Sequence, residues 1–505
     1  MDPVRYTIAI LNAFVIQREK ILINKGLMKK QSCEFLSPDD IQAIHDTSMR
    51  ILSNIGIRFP EGVAISIFKK HGFKTEGNTV YFHEDQVMQA IKLVPSQFIL
   101  YARNPDRNVT IGDGEPVFAP GYGAPFLVDP EKGKQIPTFE DFDNLAKLTH
   151  MLPNQDMSGH LMVQPGDIPS NVVHLHMLYA CMLHSDKPFI GSTNGRVSAK
   201  DTLEMIEILF GGKPERPVTV GLINPLSPLS YAPDMIEALI AYARARQPVV
   251  IATLVMAGST GPITLAGVLA QQNAEILAGI VLAQLVQPGL PLLYGSTSTS
   301  IDMRTGALTI GSPELSLCIS AHGQLARYYR LPSRSGGALT DSATTDAQAG
   351  FESMFSLLTA INSGVDFVLH AAGILSGFMA FSYEKFVVDD EICGMMRKFV
   401  QGIEVNSDTL AYDVIAQVRH DGHFLSNRHT VERCRTEFWQ PQLARRDSLE
   451  DWMKNGKKDA TDHARKYWKE LLAQHKDPPI DALVIRQLKD YINKKTIQFK
   501  QPILS

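Results

Sequence analysis

From about residue 115 the chain alternates short β-rich runs with long amphipathic stretches, a pattern that a parallel sheet with helical crossovers accommodates. The runs fall at 117–120, 160–164, 188–192, 218–223, 249–254, 292–296, 332–335 and 367–370. Helices are expected between them over 139–151, 170–184, 199–211, 231–246, 263–286, 313–330 and 346–362. Eight such strands predict an α/β chain whose centre, 115–385, is a (β/α)8 TIM barrel. A doubly wound open sheet is the alternative. That fold carries a glycine-rich turn after its first strand, and neither GxGxxG nor GxxxxGK[ST] occurs here.

The flanks read differently. Ser37-Pro38-Asp39-Asp40 is an N-cap with proline at the first helical position, and it starts a helix whose apolar face carries Ile41, Ile44 and Ile51. A second helix over 61–71, a strand pair over 73–83 and a third helix over 84–93 make 28–114 a mixed α/β leader. Residues 386–505 form a mostly helical C-terminal extension that wraps the barrel. Residues 1–27 are expected to be untranslated leader read as protein. Met28 opens a well-formed start, and Lys25-Gly26 can be encoded with a purine tract ahead of it.

Composition excludes several partners. Forty-nine Lys and Arg against 53 Asp and Glu give a net charge of −4 with no basic face, so phosphate-backbone binding lacks a driver. Five scattered cysteines without a CxxC argue against a disulfide scaffold or structural zinc, and fit a reducing cytoplasm. The most apolar stretch, 263–286, carries Gln271, Gln272, Asn273 and Glu275 and reads as a buried helix, not a membrane span.

In a barrel the loops after the strands form the face where active sites are built. Polar residues at those strand ends are the candidates: Asp302 after strand six, Arg334, Asp341, Asp346 and Gln348 around strand seven, and His370 ending strand eight. Asp346 and Glu314 also fit helix capping. Tyr122, Phe126, Tyr294, Phe378, Phe381 and Tyr383 lie near the same mouth, where several rings could hold a quaternary ammonium by cation–π attraction. His174, His176 and His184 do not converge on one helix face. His420, His423 and His429 lack the spacing of a zinc site, so no metal is expected. No GxSxG, HExxH or supported Cys/His pair supplies a nucleophile.

Leu36-Ser37-Pro38-Asp39-Asp40-Ile41, Ala102-Arg103-Asn104-Pro105, Thr264-Leu265-Ala266-Gly267, Tyr294-Gly295-Ser296, Gly311-Ser312-Pro313-Glu314, Thr340-Asp341-Ser342, Asp346-Ala347-Gln348-Ala349-Gly350-Phe351-Glu352 and Gly422-His423-Phe424-Leu425 occur in this order over about 36–475. Together they resemble the trimethylamine:corrinoid methyltransferase superfamily. The resemblance implies a (β/α)8 barrel that moves a methyl group from a methylated amine to the cobalt of a cognate corrinoid protein. It further implies a cytoplasmic homo-oligomer with no tightly bound cofactor of its own, and neither nucleic acid nor membrane as partner. Founding members carry pyrrolysine near the stretch aligned with 334–342, which here holds ordinary residues. Members without it resemble quaternary-amine demethylases, with glycine betaine first and carnitine, butyrobetaine and proline betaine as alternatives. Cob(I)alamin on the partner is itself the nucleophile, so the barrel's task is orientation and exclusion of water. The expected substrate contacts are Tyr122 and His370, followed by Arg334, Gln348, Asp302 and Phe381. A phosphate-binding barrel lyase and a non-catalytic betaine-binding protein are the competing readings.

Overall fold

The structure is a computed structural model that describes residues 33–500; the expected leader over 1–27 lies outside the described residues. Its centre is an eight-stranded, all-parallel sheet: β1 (Val117–Phe118), β2 (Ser158–Gly159), β3 (Phe189–Gly191), β4 (Thr219–Ile223), β5 (Val249–Thr253), β6 (Leu292–Ser296), β7 (Ser333–Ser335) and β8 (Phe367–Val368). Each strand from β2 to β8 pairs with the next, and β8 returns to pair with β1 through Phe367 opposite Val117. Between β1 and β2 the Phe118 carbonyl accepts the N–H groups of Asp156 and Met157.

The strands alternate with α1 (Phe139–Met151), α2 (Val173–His184), α3 (Gly195–Phe210), α4 (Pro233–Arg244), α5 (Leu265–Val286), α6 (Pro313–Tyr329), α7 (Ala347–Asn362) and α8 (Tyr383–Val400). Caps set several starts. Thr138 and Asp141 form a reciprocal capping box at α1, Ser312 caps α6 ahead of Pro313, and the Asp346 carboxylate accepts from Ala349 N–H at α7. The run at 160–164 is not β2. The ladder partners of β3 are Ser158 and Gly159, and 160–164 instead rises beside the loop after β1, where Ala124 bridges Val163. Two short, non-β-branched residues carry no alternation, so the neighbouring apolar run masks them.

The leader begins at helix Pro38–Arg50, where Ser37 and Asp40 cap each other. It packs with helix Glu84–Leu93 on the outer face of α5, and Ser48 Oγ donates to the Ala270 carbonyl at 2.9 Å. This coverage explains why α5 is apolar all round; it is the one described helix long and apolar enough to cross a membrane, and it is mostly buried. A hairpin of Phe98–Leu100 and Val109–Ile111 closes the N-terminal end of the sheet. Phe98, Leu100 and Ile111 join Ile190, Val220, Val250, Leu293 and Phe367 in the interior, and Tyr101 N–H bonds the Pro217 carbonyl before β4.

Helix α8 runs through the 385/386 boundary read from the sequence, so that boundary cuts an element of the central unit. Helix Ala460–Gln474 packs on α8, with Trp468 stacked on Tyr383 at 4.7 Å and donating to Glu384. Helix Ala482–Lys500 packs on α3 through Lys495–Asp201 at 2.7 Å. His184 lies between Asp143 and Asp477, whereas His174 pairs with Asp201 and His176 faces Phe139, so the three helix histidines do not converge. His184, His475 and Asp477 do come within ligand reach of one another, and their contacts are those of an ion-paired clasp holding the extension to α2. Between α8 and that extension, helices Tyr412–Val418, Arg428–Arg433 and Leu449–Lys454 bury no residue. His420 and His423 are exposed there.

Candidate functional site

Side chains at strand ends alternate between the sheet's interior and its helix-facing side, and this decides which candidates meet. Arg334 lies opposite Gly295 and Phe367 in the β7 ladder, and Phe367 belongs to the interior cluster. At Gly295 the neighbouring strand β5 leaves no room for a side chain, since a Cβ there would stand 2.8 Å from Ala252 Cβ. The Arg334 side chain is 2% exposed, yet it has no ion pair among the described residues, and its Nε lacks any hydrogen-bond partner. Burial pulls the guanidinium down to about 9, and an anion beside it would offset that cost.

His370 follows β8 with a φ of 64°, a left-handed conformation that non-glycine residues adopt rarely and at a cost of about 1–3 kcal/mol. Its Nδ1 accepts the backbone N–H of Tyr122 at 3.1 Å. Because that partner is an obligate donor, Nδ1 must be the bare nitrogen, and a neutral ring then carries its proton on Nε2. Burial, and next the charge of Arg334, hold His370 well below its ordinary value, so the neutral form persists at physiological pH. The Phe378 ring stands 4.8 Å from the His370 ring.

On the other side the Tyr122 ring meets His160 edge-on at 5.5 Å. His160 is completely buried with both ring nitrogens unpartnered, and burial pulls it down to about 3. Sequence reasoning missed His160 by absorbing it into a strand. The available signal was a polar residue at the C-terminal end of β2, the position it shares with His370 on β8. His370, Tyr122, His160 and Phe378 thus form one connected group, and the charge of the buried Arg334 is felt at His370. Together they offer a guanidinium and an imidazole N–H for a carboxylate, three rings for an alkylammonium, and no carboxylic acid for proton transfer.

The other candidates lie elsewhere. Asp302 accepts from Arg304 and Thr305 N–H and pairs with the Arg304 guanidinium at 2.9 Å on an exposed turn. Gln348 donates to Glu352 at 2.9 Å, and Glu352 in turn receives Thr340 Oγ1 and Asp341 N–H. Phe381 is wedged between Gly121 and Gly373 against Phe386, on the helix-facing side of the sheet. Tyr294 also faces the helices, donating to Asn273 at 2.9 Å. Tyr383 reaches Asp141, and Phe126 carries the Lys134 ammonium over its ring. Asp341 holds Ile310 N–H, which braces the loop after β6.

The family described as trimethylamine methyltransferase (MTTB) matches residues 17–500 of the chain. A glycine betaine methyltransferase of Desulfitobacterium hafniense (strain Y51) is 48% identical over 463 residues, covering 91% of this chain and 96% of that one. A proline betaine:corrinoid methyltransferase of Eubacterium limosum is 34% identical, with 82% and 88% covered. The crystal structure of the Methanosarcina barkeri monomethylamine methyltransferase superposes with a TM-score of 0.52 at 13% identity, covering 90% of this chain and 92% of that one. That likeness shows the fold.

Proposed function

Because the chain belongs to the trimethylamine methyltransferase (MTTB) family, we propose that it demethylates a carboxylate-bearing quaternary amine, glycine betaine, and passes the methyl group to a corrinoid on a separate protein. The observation that carries the choice of substrate is the buried, unpaired Arg334. A cation such as choline or protonated trimethylamine would meet uncompensated positive charge there. A betaine brings its own counter-charge. Its carboxylate would take the Arg334 guanidinium and the His370 Nε2–H, and its ammonium would lie against the Tyr122, Phe378 and His160 rings.

The framework for this reading is a closed (β/α)8 barrel, supported by the β8–β1 pairing and by the bonds from the β1 carbonyl to the residues before β2. The Co(I) of the partner's corrinoid supplies the nucleophile and accepts the methyl. As the C–N bond breaks, its electron pair returns to nitrogen and leaves neutral-nitrogen dimethylglycine, so no general acid is needed. The chain's own residues hold the carboxylate end, fix the direction of one N-methyl group and keep water out. Five unpaired cysteines support a reducing, cytoplasmic setting.

Titration calorimetry tests the carboxylate requirement. Glycine betaine should bind while choline does not, and the betaine Kd should stay flat from pH 6 to 8 because His370 and His160 remain neutral throughout. Equal binding of choline would contradict the role of Arg334. An inflection near 6.5 would contradict the neutral His370.

A further inference from the structure

Two histidines and an aspartate from opposite halves of the chain meet where the C-terminal extension crosses the end of α2. His184 closes α2, and His475 follows helix Ala460–Gln474. Their rings stand edge-on at 5.6 Å. Two residues further on, Asp477 Oδ1 lies 2.5 Å from His184 Nδ1 and 3.1 Å from His475 Nε2. Each of the three side chains offers one ligand atom, and these atoms all lie within 4.8 Å of one another. Helix α2 leads into β3, so the cluster sits at the end of the sheet away from His370.

An ion pair accounts for only part of this arrangement. His184 and Asp477 alone would clasp the extension to α2. His475 adds a second ring whose side chain is 5% exposed, yet its Nε2 reaches only the carboxylate oxygen that His184 already uses. Its Nδ1 is buried with no hydrogen-bond partner among the described residues. One shared hydrogen bond does little to offset the burial of an imidazole, whereas a bond to a metal ion does. The far side of His184 is also arranged as in metal-bound histidines. Its Nε2 lies 2.6 Å from Asp143 Oδ1, and the other Asp143 oxygen pairs with Lys147 at 2.6 Å. A carboxylate in that place fixes the ring and aims Nδ1 at the ion.

We propose that His184 Nδ1, His475 Nε2 and Asp477 form a divalent-metal site of the zinc class that ties the extension to α2. Two imidazoles and one carboxylate are a donor set that suits Zn2+, with water in the fourth position. Tetrahedral zinc sets its ligand atoms about 3.3 Å apart, so the contacts at Asp477 open slightly as the ion enters. The ion takes the place of the His184 Nδ1 proton, which leaves to solvent, and His475 binds as the neutral tautomer protonated on Nδ1. Asp477 and Asp143 together balance the two positive charges. The Asp477 side chain is 46% exposed, which gives the ion a way in. Helix spacing along α2 hides the site, because its partners lie more than 290 residues downstream. Nothing in it depends on methyl transfer.

The test uses the tag-free, full-length protein stripped with a chelator. Calorimetry should show one Zn2+ bound per chain, and Zn2+ should raise the thermal midpoint. Co2+ should give the strong visible absorption of four-coordinate nitrogen and oxygen ligation. His475→Ala and Asp477→Asn should each weaken Zn2+ binding at least about a hundredfold and remove the thermal shift. Asp143→Asn, one shell out, should weaken it by about 10–100-fold. The exposed-loop control His420→Ala/His423→Ala should change neither. Asp477 is half-exposed on a connector, so stripped Asp477→Asn should keep the wild-type circular dichroism, which separates ligand loss from misfolding. Fewer than one Zn2+ per wild-type chain, the pale spectrum of six-coordinate cobalt, undiminished affinity in Asp477→Asn, or loss of the ion in the His420/His423 control would each overturn the site.

Discussion

Replacing Arg334 with methionine should give a protein that is more stable than the wild type and almost inactive. The guanidinium is buried without a partner among the described residues, so in the absence of substrate it is an uncompensated charge in the interior of the sheet. Exchanging buried charge for an apolar side chain of similar length typically stabilises by about 1–4 kcal/mol. With substrate present the same change strands a buried carboxylate, and losing one partner of a buried charge pair costs about 3–5 kcal/mol. That corresponds to a fall in kcat/KM of roughly a hundred- to a few thousand-fold. Arg334→Lys should recover only part of it, because an ammonium cannot reproduce the bidentate fork. Urea denaturation of the empty protein and steady-state kinetics check both halves. A destabilised Arg334→Met would mean that the guanidinium is satisfied within the protein, and the substrate argument would fall.

The second large effect lies beneath the site. Lys385 and Asp389, one turn apart on α8 and fully buried, pair with each other and with the loops that follow Arg334 and His370. Lys385 donates to Ser353 Oγ and reaches the Ala338 carbonyl after β7, while Asp389 accepts Gly373 N–H after β8. Burial pushes Asp389 up to about 6 and Lys385 down, and each opposes that shift in the other, helped at Asp389 by the Gly373 N–H. Lys385→Met alone leaves a lone buried carboxylate and should cost about 3–5 kcal/mol of stability. The double variant Lys385→Met/Asp389→Asn removes both charges and keeps an oxygen for Gly373 N–H, so it should recover most of that loss. Urea midpoints of the three proteins decide it. Additive losses in the double variant would show that the pair does not act as a unit.

The helices were the legible part of this chain, because their ends are written locally. Thr138 with Asp141, Ser312 with Pro313, and Asp346 each announce a helix within four residues, and α1, α6 and α7 begin where those caps stand. β2 was illegible for the converse reason. Ser158 and Gly159 are a strand only through their pairing with Phe189 and Ile190, thirty residues on.

The candidate site divides along the same line. His370 stands out in sequence because a titratable side chain ends the apolar run Phe367-Val368-Leu369, and Arg334 because a charge sits in the short run between helix α6 and the Gly336-Gly337 loop. Asp302 and Gln348 looked equally polar and equally well placed, but each is consumed by a neighbour two to four residues away, Arg304 and Glu352. Phe381 is aromatic and near the mouth in sequence, yet the pleat turns it to the helices, where Gly121 and Gly373 make room. His160 depended on the position of β2 and was lost with it.

The central claim is that this barrel moves a methyl group from glycine betaine to reduced corrinoid, and its most direct test is to count both products. Purified protein should be mixed anaerobically with cob(I)alamin and a panel of glycine betaine, proline betaine, carnitine, butyrobetaine, choline and trimethylamine. Methylcobalamin should be followed by absorbance and the amine products by mass spectrometry. The account predicts methylcobalamin and dimethylglycine in equal amounts from glycine betaine, and neither choline nor trimethylamine consumed. Methyl transfer from trimethylamine in preference to the betaines, or from no member of the panel, would contradict it.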